Sequence, residues 1–192
     1  MARRVGASTR PDFDARFRLR HNCRNSRWIA KTSTQLAGLD ADLFKRAPVG
    51  DRPKINVVPS TAAMKGTVLA TVRQLIDQHD LLGGNIALIG PRTWRNGSLS
   101  QVNEVNGVPL TDSIGEWYQG AGILVTTARS FKGLESDVVV VYDLQYLSDT
   151  FSIMDLYVAC TRGRSHLHFL VSGRELVATI RDAITHVQME ME

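Results

Sequence analysis

Four consecutive valines, Val138–Val141, stand between Asp137 and Tyr142 in the stretch "SDVVVVYDL". β-Branched side chains lose rotamer freedom in a helix and pack well on a pleated sheet, so such a run is a strand. A strand with one wet face alternates apolar and polar residues; this one does not. The sequence "GILVTT", residues 122–127, has the same character. Strands of this kind are buried on both faces, as in a parallel sheet covered by helices.

The rest of the chain supplies those helices. "AAMKGTVLATVRQLIDQHDLL" repeats Val68, Leu69, Val72, Leu75 and Ile76 at spacings of three and four, the mark of an amphipathic helix, with Gly83-Gly84 at its end. "NSRWIAKTSTQLAGL" predicts a helix capped by Asn25 or Ser26 and closed near Gly38. "FSIMDLYVACTRGRS" and "RELVATIRDAITHV" predict two more. Strands are predicted at "ARFRLRHN", "KINVVPS", "NIALIG" and "HLHFLVSG", and a short helix within "SLSQVNEVNG". Strands alternating with helices give the fold class: α/β, with a mainly parallel sheet flanked by helices.

Composition narrows the function classes. No apolar run reaches the roughly 20 residues that span a bilayer, and "MARRVGASTRPDFD" lacks the apolar core of a secretory signal. Cys23 and Cys160 are far apart and outside any C-x-x-C pattern, so they are read as reduced, cytoplasmic and not metal-binding. Net charge is +4, and residues 1–31 hold nine Lys or Arg against two Asp. That bias suits a polyanion partner and equally suits a solvated arm.

Ligands of open parallel sheets bind at the carboxyl ends of strands. "TTARSFKGLE" follows one strand, "GPR" (Gly90–Arg92) another, and "HNCRNS" a third; "ACTRGR" instead ends a helix. Arg beside Gly and small polar residues suits a bidentate grip on phosphate, and a neighbouring Glu accepts from sugar hydroxyls. The combination suggests a phosphorylated, sugar-containing ligand such as a nucleotide. Plainer readings stand beside it. Arg24 can be a surface ion-pair residue, Glu135 a solvated turn carboxylate, and Lys132 a phosphate contact or a solvent-facing amine. Arg162 and Arg164 can complement a helix dipole. Trp28 and Tyr157 fit the core, and His166 and His168 alternate with Leu167 and Phe169 without forming a metal site.

"FRLRHNCRNS" resembles motif IV of the UvrD/Rep-type superfamily 1 DNA helicases. "ILVTTARSFKGLESDVVVV" is similar to their motif V, T-x-H-S-x-K-G-L-E-F-D-x-V, and "LYVACTRGRSHLHFLVS" to motif VI, Y-V-A-x-T-R-A-x-x-x-L. The three occur in family order between Phe17 and Ser172. The resemblance implies the second, C-terminal RecA-like domain of the motor, spanning 15–192 behind a disordered basic arm at 1–14. It implies that Arg24 and Arg162 contact the γ-phosphate of ATP and that Glu135, with Gly133 and Lys132, lies on the nucleotide. Thr126, Thr127 and Arg129 would then touch the backbone of single-stranded DNA.

The chain departs from the family at four places: Arg129 replaces a histidine, Cys23 an aromatic, Gly163 an alanine, and Ser136 the aromatic after K-G-L-E. Only residues 93–121 separate "NIALIGPR" from "GILVTT", so the helical insertion of large family members has no room. No G-x-x-x-x-G-K-[ST] phosphate loop and no D-E-x-x strand end occurs. Phosphoryl transfer needs metal, cradle and a water-positioning group together, so this chain alone is expected to be inactive. It is expected to be a piece of a longer protein, or a split or degenerate product. ATP and Mg²⁺ are the implied cofactors. Single-stranded DNA and an N-terminal RecA-like domain with Walker A and B motifs are the implied partners, with no membrane. The alternative is a non-catalytic nucleic-acid or protein-interaction module derived from such a domain.

Overall fold

The computed structural model describes residues 21–192 apart from 23, 41 and 80. The arm expected at 1–14, most of the strand expected at "ARFRLRHN", and Cys23 lie outside the described residues. That strand enters them only as β1 (His21–Asn22), which pairs in parallel with β2 (Asp42–Leu43) in a small sheet of its own. Between them runs α1 (Arg27–Ala37), closed by Gly38 in the left-handed region at φ 62°.

The main sheet has seven strands: β3 (Lys54–Val57), β4 (Ile86–Gly90), β5 (Glu104–Val105), β6 (Val108–Thr111), β7 (Ile123–Thr127), β8 (Ser136–Leu144) and β9 (Gly163–Val171). Their spatial order is β3-β9-β8-β4-β7-β6-β5. Every pairing is parallel except β5 with β6. The helices are α2 (Met64–His79), α3 (Ile114–Tyr118), α4 (Ile153–Cys160) and α5 (Arg174–Met191).

The valine run shows why helices cover both faces. Val139 and Val141 of β8 pack with residues of α1, α4 and α5, whereas Val138, Val140 and Tyr142 pack with residues of α2. All five are fully buried. The α/β class expected from the sequence is therefore the architecture observed. Among the described residues no helix is long and apolar enough to cross a membrane.

Three local expectations are corrected. The short helix expected in "SLSQVNEVNG" is instead the start of the β5–β6 hairpin. Asn106 and Gly107 both have positive φ, 55° and 78°, the tight turn that an Asn-Gly pair favours between apolar residues. Ser26 occupies the cap position of α1, but its side chain makes no capping hydrogen bond. The N–H groups of Arg27 and Trp28 donate instead to the carbonyls of Pro48 and Val49, at 2.8 and 3.2 Å. Arg164 does not end a helix: β9 begins at Gly163 and Arg164 lies on it, exposed and 3.6 Å from Asp137.

Candidate nucleotide and nucleic-acid site

The stretch from Thr126 to Glu135 is a crossover rather than a turn at one strand end. Thr127 lies beside Gly90, the last residue of β4, while Val138 lies beside Ile86, its first. The chain leaves the carboxyl edge of the sheet at Thr127 and re-enters at the amino edge at Ser136. With a rise of about 3.3 Å per residue the two points are about 20 Å apart along the strands. Glu135 therefore sits at the amino edge, which corrects the expectation that the whole stretch lies at a carboxyl end. α4 runs the same way, and Phe131 of the crossover joins the core cluster of Leu156, Ala159 and Cys160 on that face.

Three expected residues meet at the amino edge. Arg24 Nε is 2.7 Å from Glu135 Oε2, with about half of each side chain exposed. Arg162 immediately precedes β9, and its Nε donates to the Val158 carbonyl at 3.2 Å. Its guanidinium is held below its ordinary pKa, first by burial and then by the charge of Arg24, with Tyr157 and Glu135 acting in the opposite sense. Two cations and one carboxylate thus share one electrostatic neighbourhood. Residues 24 and 162 converge because the buried Asn25 amide donates to the carbonyls of Thr161, at 3.0 Å, and Gly163. The Ser26 N–H donates to the Arg164 carbonyl at 3.0 Å.

The remaining expected residues lie along the crossover. Gly133 has φ 88°, a left-handed backbone that favours glycine, and a β-carbon there would meet no other atom of the chain. Lys132 is exposed beside it. At the carboxyl edge Thr126 is largely buried as a member of β7. Thr127 is partly exposed, and its hydroxyl accepts from the Ser130 N–H at 3.3 Å and lies 3.1 Å from the Ser130 hydroxyl. Arg129 is 72% exposed, with Nε 3.5 Å from Asp155 Oδ1. Arg92 is exposed just past the end of β4, at the same edge. The structure thus divides the arginines between two edges: Arg24 with Arg162, and Arg92 with Arg129.

Asp155 was not singled out from the sequence, although its local signature was present. Ser152 and Asp155 form a capping box at the start of α4. Hydrogen bonding from the Ser152 backbone, aided by the Ser152 hydroxyl and by Arg129, holds the Asp155 carboxyl below the usual range against the opposing effect of burial. It is therefore a reliable anion for Arg129 to lean on. Asn25 was read only as a cap, since its true partners lie more than a hundred positions away.

The donor set at the amino edge suits a polyphosphate: guanidinium groups match phosphate oxygens, and a carboxylate can accept from hydroxyls. Among the described residues no group of three or more His, Cys, Asp and Glu comes together. His166 Nδ1 is 2.9 Å from Asp51 instead.

By sequence the chain matches no protein-family model and none of the curated proteins. By structure it is similar to the crystal structure of the C-terminal domain of a possible DNA helicase from Lactobacillus plantarum WCFS1. The TM-score is 0.61 at 22% identity, over 84% of this chain and 95% of that one. The likeness is one of fold, a mainly parallel α/β sheet consistent with the RecA-like type expected from the motifs.

Proposed function

We propose that this chain is the C-terminal motor domain of an ATP-dependent superfamily 1 DNA helicase or translocase of UvrD/Rep type. One observation carries the proposal: Arg24, Glu135 and Arg162, each drawn from a different motif, gather at one edge of the sheet. The fold shared with the C-terminal domain of a possible DNA helicase supports it.

On this reading Arg24 and Arg162 face the γ-phosphate of ATP, and Glu135, with Gly133 and Lys132 alongside, faces the ribose. The phosphate loop and the metal ligands come from a second RecA-like domain with Walker A and B motifs. ATP with Mg²⁺ supplies the phosphoryl group and its charge neutralisation when bound there. This chain's residues do the rest by position: Arg162, held through Nε, presents its guanidinium toward charge that grows in the transition state. At the opposite edge Thr126, Thr127 and Arg129 meet the phosphates of single-stranded DNA.

The test is phosphate release. The chain with ATP, Mg²⁺ and single-stranded DNA is expected to release phosphate at the blank rate. Joined to a domain carrying the phosphate loop, it is expected to support DNA-stimulated hydrolysis that needs both Arg24 and Arg162. Turnover by the chain alone, abolished by a point substitution within it, would overturn the half-site reading. An assembled protein indifferent to both arginines would favour the non-catalytic interaction module.

A further inference from the structure

Asn25 lies directly beside Arg24 in the chain, and its side chain reaches across to the loop that holds Arg162. Its amide nitrogen has two hydrogens, which go to the carbonyls of Thr161 and Gly163, the residues on either side of Arg162. An amide is planar, so two donations from one nitrogen fix both the orientation of the side chain and the separation of what it joins. The Ser26 N–H to the Arg164 carbonyl adds a third tie between the two segments. The site is buried, so water does not compete for these bonds.

The outer side of the same segment is also held. The loop before Gly50 accepts from the first helical N–H groups of α1 through Pro48 and Val49. Arg27 clasps that loop, donating from Nε to the Ala47 carbonyl at 3.0 Å and from its terminal nitrogen to the Lys45 carbonyl at 2.6 Å. Gly50 has φ 69°, and a β-carbon there would collide with the Ser26 side chain. Residues 25 and 26 are thus pinned between this loop and the start of β9.

We infer that Asn25 is a positioning residue: it sets the spacing of the Arg24 and Arg162 guanidinium groups so that both can grip one polyphosphate. The inference rests on the nucleotide-facing reading of the two arginines. Asn25 touches no ligand itself; it acts by fixing the backbone that carries Arg24 to the backbone that carries Arg162. A buried asparagine that only satisfied the carbonyls at the end of α4 would contribute stability and have no energetic link to Arg24.

A double-substitution cycle on the ¹⁵N-labelled chain separates the two roles. Inorganic tripolyphosphate is the probe, followed through the arginine Nε–Hε signals. Arg24→Ala and Asn25→Ala are each expected to weaken binding about tenfold, the scale of coupling within one hydrogen-bonded network. The combined variant is expected to bind no more weakly than Arg24→Ala alone. If Asn25→Ala weakens binding by the same factor with and without Arg24, or binds as the wild type does, Asn25 is not a positioning residue. If Asn25→Ala lacks a dispersed, folded spectrum, Asn25→Ser, whose single shorter donor cannot bridge both carbonyls, enters the same cycle with the same deciding outcomes. Wild-type affinity retained in both Arg24→Ala and Arg162→Ala would overturn the phosphate reading itself and leave Asn25 nothing to position.

Discussion

Arg24 and Glu135 form an ion pair of 2.7 Å that joins the residue two before Ser26 to the last residue ahead of β8. With about half of each side chain in solvent, such a pair is worth roughly 0–1 kcal/mol. A phosphate arriving at Arg24 can therefore take it from the carboxylate at little cost. The pair links two residues proposed to face the same ligand, so the reading of Arg24 as an ion-pair residue and the proposed role describe the same geometry.

Glu135→Ala is expected to leave the melting temperature nearly unchanged, because the pair is exposed. In the assembled protein it is expected to raise the nucleotide Kd while leaving the salt slope of DNA binding intact. Tripolyphosphate, which has no ribose, should bind the variant at least as well as the wild type. Weaker tripolyphosphate binding would remove Glu135 from the ribose.

Arg162→Ala in the assembled protein is expected to lower kcat far more than it weakens ATP binding. A guanidinium that meets developing charge acts mainly in the transition state, and arginines in that role are worth about 10³–10⁵ in rate. Steady-state kinetics with a separate nucleotide titration measures both quantities. Unchanged kcat would take Arg162 out of the site.

Arg129→Ala is expected to weaken single-strand binding and flatten its salt dependence by about 0.7 in the slope of log K against log[salt], one phosphate contact fewer. Nucleotide affinity without DNA should hold, since Arg129 lies at the opposite edge of the sheet from Arg24 and Arg162. Fluorescence titration at several salt concentrations tests this. An unchanged slope would leave Arg129 with only its contact to Asp155.

Asp155 makes a prediction in acid. Its folded pKa lies below the ordinary carboxylate value, led by the Ser152 backbone hydrogen bond. The stability it contributes is therefore present above that ordinary value and is lost as pH falls through the lowered one. Asp155→Asn should flatten the fall in melting temperature over that acid range. Ser152→Ala should cost about 1 kcal/mol at neutral pH through loss of the cap. Parallel acid profiles for wild type and Asp155→Asn would show that the carboxylate does not drive the effect.

What the sequence revealed and what it hid follow from the range of the forces involved. β7, β8 and α2 were legible because their burial is written in contiguous or periodic residues. The β5–β6 hairpin carried its Asn-Gly pair openly, yet the polar residues around it favoured a helical reading. The cap of α1 could not be read, because Pro48 and Val49 complete it from a distant loop. Arg24, Glu135 and Arg162 stand out only through motif resemblance, and their shared edge follows from strand order, which no local pattern encodes. For the same reason the crossover reads locally as a turn, and the distant partners of Asn25 leave no local trace.

That crossover is short for its task. Between Thr127 and Ser136 it descends about 20 Å along the sheet and shifts about 10 Å sideways past β4. Nine peptide units reach about 30 Å fully stretched. The connection also winds on the way, with the Phe131 N–H donating to the Thr127 carbonyl at 3.0 Å and the Leu134 N–H to the Phe131 carbonyl at 3.2 Å. With Phe131 fully buried between its ends, the segment is moored at its middle as well as at both strands.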